Sequence, residues 1–229
     1  MTTRILPALV ATLLVTTGCL IKDTTETWYL GPAGSVTWVV TESDVRSDAQ
    51  AAVDRQNEET TFRLAVERQD HPVARAFKAL GFTDVRTAVL RRDAPFAVRT
   101  EARGLPIGEL GLRILQRSGL MGNSTLARDG NTWVWNFTAR DPHAPDVTAA
   151  VDEDVAALVN DLGQLKVVLI DGRFENASGF ELSADRRVAT IKDLDGRDVA
   201  PGGDDSVISL RLTWVGAPIA PTSSPSRLR

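Results

Sequence analysis

Apolar and polar residues alternate with a period of two through much of this chain. In "SVTWVV" Val36, Trp38 and Val40 share one face, and in "TWVWNFTA" Trp133, Trp135 and Phe137 do. In "VISLRLTW" Ile208, Leu210, Leu212 and Trp214 alternate with Ser209, Arg211 and Thr213. Such alternation predicts strands with one buried and one wet face, which pair antiparallel. Turn residues punctuate the runs. Gly31-Pro32-Ala33-Gly34 separates "TWYL" from "SVTWVV", and "RRDAP" separates "VRTAVL" from "FAVRTEAR". Asp129-Gly130 predicts a hairpin between "STLAR" and "TWVWNFTA". Asp171-Gly172 predicts another between "LKVVLI" and "RFENASGFEL", and "RVATI" adds a further strand.

Elsewhere the period changes to that of a helix. Ser47 with Gln50 resembles a capping box that opens a helix from about 48 to 69. His71-Pro72 breaks it, with a capping or surface role expected for His71, and a new helix follows. Val73, Ala76, Phe77 and Leu80 form its stripe, and Gly81 suits its end. Ile107, Leu110 and Ile114 mark a helix over 106–118, which stops before Gly119. Val151, Val155, Leu158, Val159 and Leu162 mark another over 148–162. The acids Asp152, Glu153 and Asp154 suit its first turn, where the helix dipole favours negative charge. The sum is an α+β fold: a largely antiparallel sheet of about seven to ten strands with three or four helices packed on it.

The 229 residues are 43% hydrophobic and 24% charged, enough for a real core. No repeat or Gly/Pro/Ser-rich linker divides the middle, so residues 27–215 read as a single domain. Residues 20–26, "LIKDTTE", are mostly polar and read as a short tether behind residue 19. The end, "GAPIAPTSSPSRLR" (216–229), reads as a flexible Pro/Ser-rich tail that cannot bury enough apolar surface to order itself. The formal charge is −4, and close to −5 without residues 1–18, which contain Arg4 and no acid. That balance argues against nucleic acid as a partner, since phosphate contacts need a clustered positive surface. Residues 75–117 do hold nine Arg or Lys against four acids. Arg99, Glu101 and Arg103 fit the wet face of a strand whose inner face carries Phe96, Val98 and Thr100.

The N-terminus is a separate element. Arg4 precedes an apolar run from Ile5 to Val15, then Thr16, Thr17, Gly18 and the chain's one cysteine, Cys19. The run is too short to cross a hydrocarbon layer of about 30 Å as a helix, and its order fits a signal peptide over residues 1–18. "LLVTTGCL" resembles the lipobox of bacterial lipoproteins. The resemblance implies cleavage between Gly18 and Cys19, and lipid, palmitate included, on Cys19. It departs from the pattern at Thr16, where leucine is preferred. Leu20 follows the cysteine in place of the aspartate that often marks inner-membrane retention, which points to the outer membrane. One acyl chain holds a membrane only marginally, whereas several on one residue give a durable tether.

Candidate chemistry in the rest of the chain is sparse. There is no G-x-S-x-G, Walker A or G-x-G-x-x-G sequence; Gly104, Gly108 and Gly111 have other spacing. His71 and His143 are the two histidines, too few with one cysteine for a structural zinc site. The residues that could hold a metal are Asp193, Asp195 and Asp198 in "DLDGRD", with Asp204 and Asp205 nearby. Their spacing is not that of an EF-hand, and a solvated loop is the plainer account. Asn123, Asn136 and Asn176 open N-x-S/T triplets, which in a bacterial lipoprotein are chance. Trp28, Trp38, Trp133, Trp135 and Trp214 either fill a core or line a pocket, and filling is the commoner use. No cofactor is implied. The expected function is therefore a non-enzymatic module of the bacterial envelope, held to the membrane by Cys19, that binds an envelope protein partner or supports structure. The alternative is a carrier or sensor of an apolar or lipid ligand between sheet and helices. An enzyme with an unrecognised site is the least favoured reading.

Overall fold

A computed structural model describes residues 20–31, 33–140, 151–160, 165–192 and 207–216. Gly18, Cys19, His143, Asp193, Asp195, Asp198, Asp204, Asp205 and the tail beyond 216 lie outside the described residues. The fold is α+β. Among the described residues eleven strands form two sheets, where the sequence predicts one of about seven to ten strands. The seven-stranded sheet has the order β3-β4-β2-β1-β7-β10-β9 and the four-stranded sheet β5-β6-β11-β8. In the first, β1 is Leu20–Leu30, β2 Ser35–Ser47, β3 Asp84–Arg91, β4 Phe96–Pro106, β7 Lys166–Leu169, β9 Phe180–Leu182 and β10 Val188–Ile191. In the second, β5 is Met121–Asp129, β6 Thr132–Arg140, β8 Arg173–Ser178 and β11 Val207–Val215. Neighbours are antiparallel apart from β1 with β7.

The Asp171-Gly172 hairpin does not form. β7 stays in the larger sheet, while β8 crosses to pair with β11 in the smaller one. Gly172 has φ +98°, and a Cβ there would lie 2.0 Å from the Val215 carbonyl oxygen. Its turn thus carries the chain between sheets. Gly179 (φ +80°) then returns it, splitting "RFENASGFEL" into β8 and β9. The Asp129 hairpin does form, with Asp129 opposite Thr132.

Residues 20–26 are not a tether. They are the first half of β1, and Leu20 pairs with Ser47. Leu20, Lys22, Thr24 and Glu26 are in phase with the buried Trp28 and Leu30. Their polarity misleads because Lys22 and Glu26 find polar partners inside.

Four helices are described: α1 Ala52–Glu67, α2 Pro72–Ala79, α3 Ile107–Ser118 and α4 Glu153–Asn160. The capping box at Ser47 is absent, since Ala51 takes the N-cap position with no side-chain bond. Ser47 instead ends β2. Its Oγ accepts from the Ala49 N–H (3.0 Å) and donates to Glu58, hitching α1 to the strand. α3 lies hard against β5 because Gly108 and Gly111 face it. A Cβ on Gly111 would come within 2.2 Å of Ser124 Oγ. α4 is capped by Asp152, whose Oδ1 accepts from Val155 N–H (3.1 Å), and Asp154 clamps Arg75 of α2 through two bonds of 2.7 and 3.0 Å.

The main core lies between the sheets and under α2, α3 and α4. Trp28 meets Trp38 edge-on at 5.3 Å and Trp135 at 6.1 Å, and Phe77 of α2 covers Trp38 at 5.1 Å. A second, smaller cluster of Val45, Phe62, Val66, Phe96 and Val98 sits under α1, with Leu20 and Val89 packed on it.

Candidate functional site: a groove under α1 and a buried polar belt

The small cluster is built where four strands meet α1. Phe62 and Val66, one helical turn apart, are the buried residues of α1. They rest on Val98 and Phe96 of β4 and on Val45 of β2. A bulge at Asp44 (φ +51°) keeps β2 in phase: Val36, Trp38, Val40 and Glu42 point inward before it, and Val45 and Ser47 after it. Two side chains cannot seal a sixteen-residue helix to a sheet. A groove of about 350 Å³ remains between α1 and the β3–β4 hairpin. Phe62, Val66, Val89, Phe96 and Val98 line its floor, and Arg63, Glu67, Arg92 and Asp93 its rim. A shallower depression of about 270 Å³ continues along α1 past Gln56, Glu59 and Thr60, sharing Arg63, Arg92, Asp93 and Phe96. The groove falls in the usual size range of ligand sites, about 300–1,000 Å³.

Behind the groove runs a belt of buried polar groups that separates the small cluster from the main core. His71, Glu42 and Thr100 are 0%, 1% and 1% exposed. Lys22 Nζ donates to Glu42 Oε1 at 2.6 Å. His71 Nε2 lies 2.9 Å from Thr100 Oγ1, which lies 3.4 Å from Thr87 Oγ1 on β3. Glu42 Oε2 is 3.8 Å from His71 Nε2. Glu42 Oε2 and His71 Nδ1 have no hydrogen-bond partner of their own. Beside them, Trp38 Nε1 donates to Glu26 Oε2 at 3.1 Å. Phe62 stands edge-on to the His71 ring at 6.4 Å, so the floor of the groove is the lid of the belt. Burial holds the His71 imidazole below its ordinary pKa. Glu42 opposes that, and Lys22, Arg75 and Lys78 add to it. A neutral imidazole is the form that fits a dry site with one nitrogen bonded.

His71 is therefore neither a surface residue nor a side-chain cap. It occupies the N-cap position of α2 without a side-chain capping bond, and its ring points into the sheet. The clue lay in the alternation. Glu42 continues the inward series Val36, Trp38, Val40, and Thr100 the series Phe96, Val98. An acid and a hydroxyl in phase with buried positions call for a polar partner, and His71 supplies it.

The remaining candidates separate cleanly. Trp28, Trp38, Trp135 and Trp214 are buried core, and Trp133 is half-buried under Arg128 at 5.1 Å. Trp28 and Trp135 border an apolar space of about 70 Å³, too small for a lipid-sized ligand. Arg99, Glu101 and Arg103 form ion pairs on the outer face of β4, as the alternation predicts. Asn123, Asn136 and Asn176 are exposed on strands of the smaller sheet. Among the described residues no three His, Cys, Asp or Glu side chains converge on a common point, and no helix is long and apolar enough to cross a membrane.

Comparison with known proteins adds little. No family model matches the sequence, and no curated protein matches it. Among solved structures, the NMR structure of the folded domain of LppM from Mycobacterium tuberculosis matches with a TM-score of 0.36 and 13% identity, over 86% of this chain and 91% of that one. At that distance no residue or role carries across.

Proposed function

We propose that this chain is a lipoprotein of the bacterial envelope, anchored through Cys19 and sorted to the outer membrane, and that its domain is a non-enzymatic binding module working through the groove under α1. The anchor rests on the order of charge, apolar run, small residues and cysteine in residues 1–19. The observation that joins anchor to module is Leu20. This residue follows the cysteine directly, belongs to β1 and packs on the cluster that floors the groove. Binding rather than catalysis is favoured because Glu42, His71 and Thr100 are sealed from any substrate, while the open site has an apolar floor and a charged rim. Mass spectrometry of the N-terminal peptide tests the anchor: Cys19 should be the first residue and carry lipid, and Cys19→Ser should release the protein from membrane fractions. An unmodified Cys19, or a Cys19→Ser chain that stays with membranes, contradicts it.

A further inference from the structure

We infer that the groove under α1 takes an acyl chain of a phospholipid from the membrane that anchors the protein, an assignment that rests on the lipid-anchor reading above. The chemistry of the groove comes first. Its floor carries side chains of Phe62, Val66, Val89, Phe96 and Val98 alone, so an apolar chain loses no hydrogen bond by entering. Its rim offers two cations and two anions, Arg63, Arg92, Glu67 and Asp93, at the mouth. That arrangement suits a tail inside and a zwitterionic or singly charged headgroup outside. It does not suit a fully apolar ligand, whose end would press on four charges.

Position is the second line. Consecutive Cα atoms are about 3.8 Å apart, so lipid on Cys19 is rooted one residue from Leu20. Leu20 packs on the groove's own cluster. From β1, where Leu20 sits, to β3, the far wall of the groove, is three strand spacings, or about 14 Å. That is half of a hydrocarbon layer of about 30 Å. An anchor at Cys19 thus holds the mouth of the groove within reach of neighbouring lipid tails.

The third line is mechanical. α1 docks through two buried side chains, Phe62 and Val66, and through the bond from Ser47 to Glu58 in its first half. The main core lies beyond the belt of Glu42, His71 and Thr100, none of which lines the groove. α1 can shift to admit a chain without opening the main core.

The test uses vesicles of phosphatidylethanolamine and phosphatidylglycerol with a small fraction of phospholipid carrying a photoreactive diazirine on its tail. Both the lipidated protein and the Cys19→Ser chain are irradiated with them, and adducts are mapped by mass spectrometry. The assignment predicts adducts within residues 56–68 and 87–99 in both proteins, reduced at least tenfold by Val89→Trp, which fills the groove. Leu90→Trp points to the opposite face of β3 and should leave labelling unchanged. Absence of adducts in these segments, or adducts that Val89→Trp does not reduce while melting is unaltered, overturns the assignment. If Val89→Trp does not fold, the adduct map of the unsubstituted protein decides alone. Labelling of the groove in Cys19→Ser but not in the lipidated protein would give the groove to the protein's own acyl chains and also overturn it. Failure of the anchor is seen separately, as an unmodified Cys19.

Discussion

The two hydrophobic clusters of this protein are built from the same seven-stranded sheet and differ in completeness. The main core has a second sheet and three helices closing on it, and its tryptophans interlock ring against ring. The small cluster has five buried residues, one helix held by two of them, and an open groove. Between them lies a belt of charged and hydrogen-bonding groups, Lys22, Glu42, His71 and Thr100, that Phe62 of the small cluster covers on one side. The two differ in how much room each leaves for a ligand. A core filled to native density resists change, whereas a cluster with one loosely attached wall can accept a ligand at small cost.

The sharpest way to break that comparison is paired truncation. Trp135→Ala removes a fully enclosed ring and its bond to Ser124 Oγ (3.0 Å), and should cost about 3–5 kcal/mol in denaturant unfolding. Phe62→Ala borders the groove, whose walls can close, and should cost only the transfer value of about 1.5–3 kcal/mol. Equal losses would mean that the small cluster is as rigid as the main core. Glu42→Ala probes the belt. Lys22 is partly exposed and can swing into water, so the loss should be about 1–3 kcal/mol, that of stranding a buried partner, rather than the larger cost of an isolated buried charge.

The belt also predicts a pH dependence. The native pKa of His71 is below its unfolded value of about 6.5. The native state therefore binds fewer protons than the unfolded chain in that range. Stability is fully present above pH 6.5 and falls as pH drops from there toward the native pKa. His71→Gln should flatten that slope in unfolding curves at a series of pH values; an unchanged slope would remove His71 as its source. The smallest effect belongs to the outer face. Arg103→Ala, which breaks an exposed pair with Glu101, should change stability by less than about 1 kcal/mol. A larger loss would mean that the outer face of β4 is structural as well.

Much of this was legible in the chain. Period-two alternation located the strands around Trp38, Trp135 and Trp214 because burial on one face leaves that trace directly. Helical stripes located α2 and α3 for the same reason. Alternation is silent on which sheet a strand joins, so the crossing at Gly172 and the return at Gly179 were not visible, and one sheet was expected where two exist. Polarity was misleading in residues 20–26, where Lys22 and Glu26 point inward to partners distant in sequence. The groove could not be read at all. It arises from what α1 lacks, a third and fourth buried side chain, and from the approach of "RRDAP" to Arg63. His71 was visible as a residue but not as a site, since its partners lie 29 residues away in Thr100 and on a separate strand in Glu42.

If lipid on Cys19 anchors the chain, the open cluster faces the membrane and the filled core stands away from it. Asp93, exposed in the β3–β4 loop, lies at the Leu20 end of the sheet, since Leu20 pairs with Ser47 and Val45 with Phe96. Ala33, exposed in the β1–β2 turn, lies at the other end of an eleven-residue strand, about 35 Å away. A fluorophore placed on Asp93→Cys or Ala33→Cys of the lipidated protein, in vesicles with nitroxide-headgroup lipid, measures which end is near the surface. The account predicts strong quenching at position 93 and little at position 33. Equal quenching at both, or stronger quenching at 33, would contradict it.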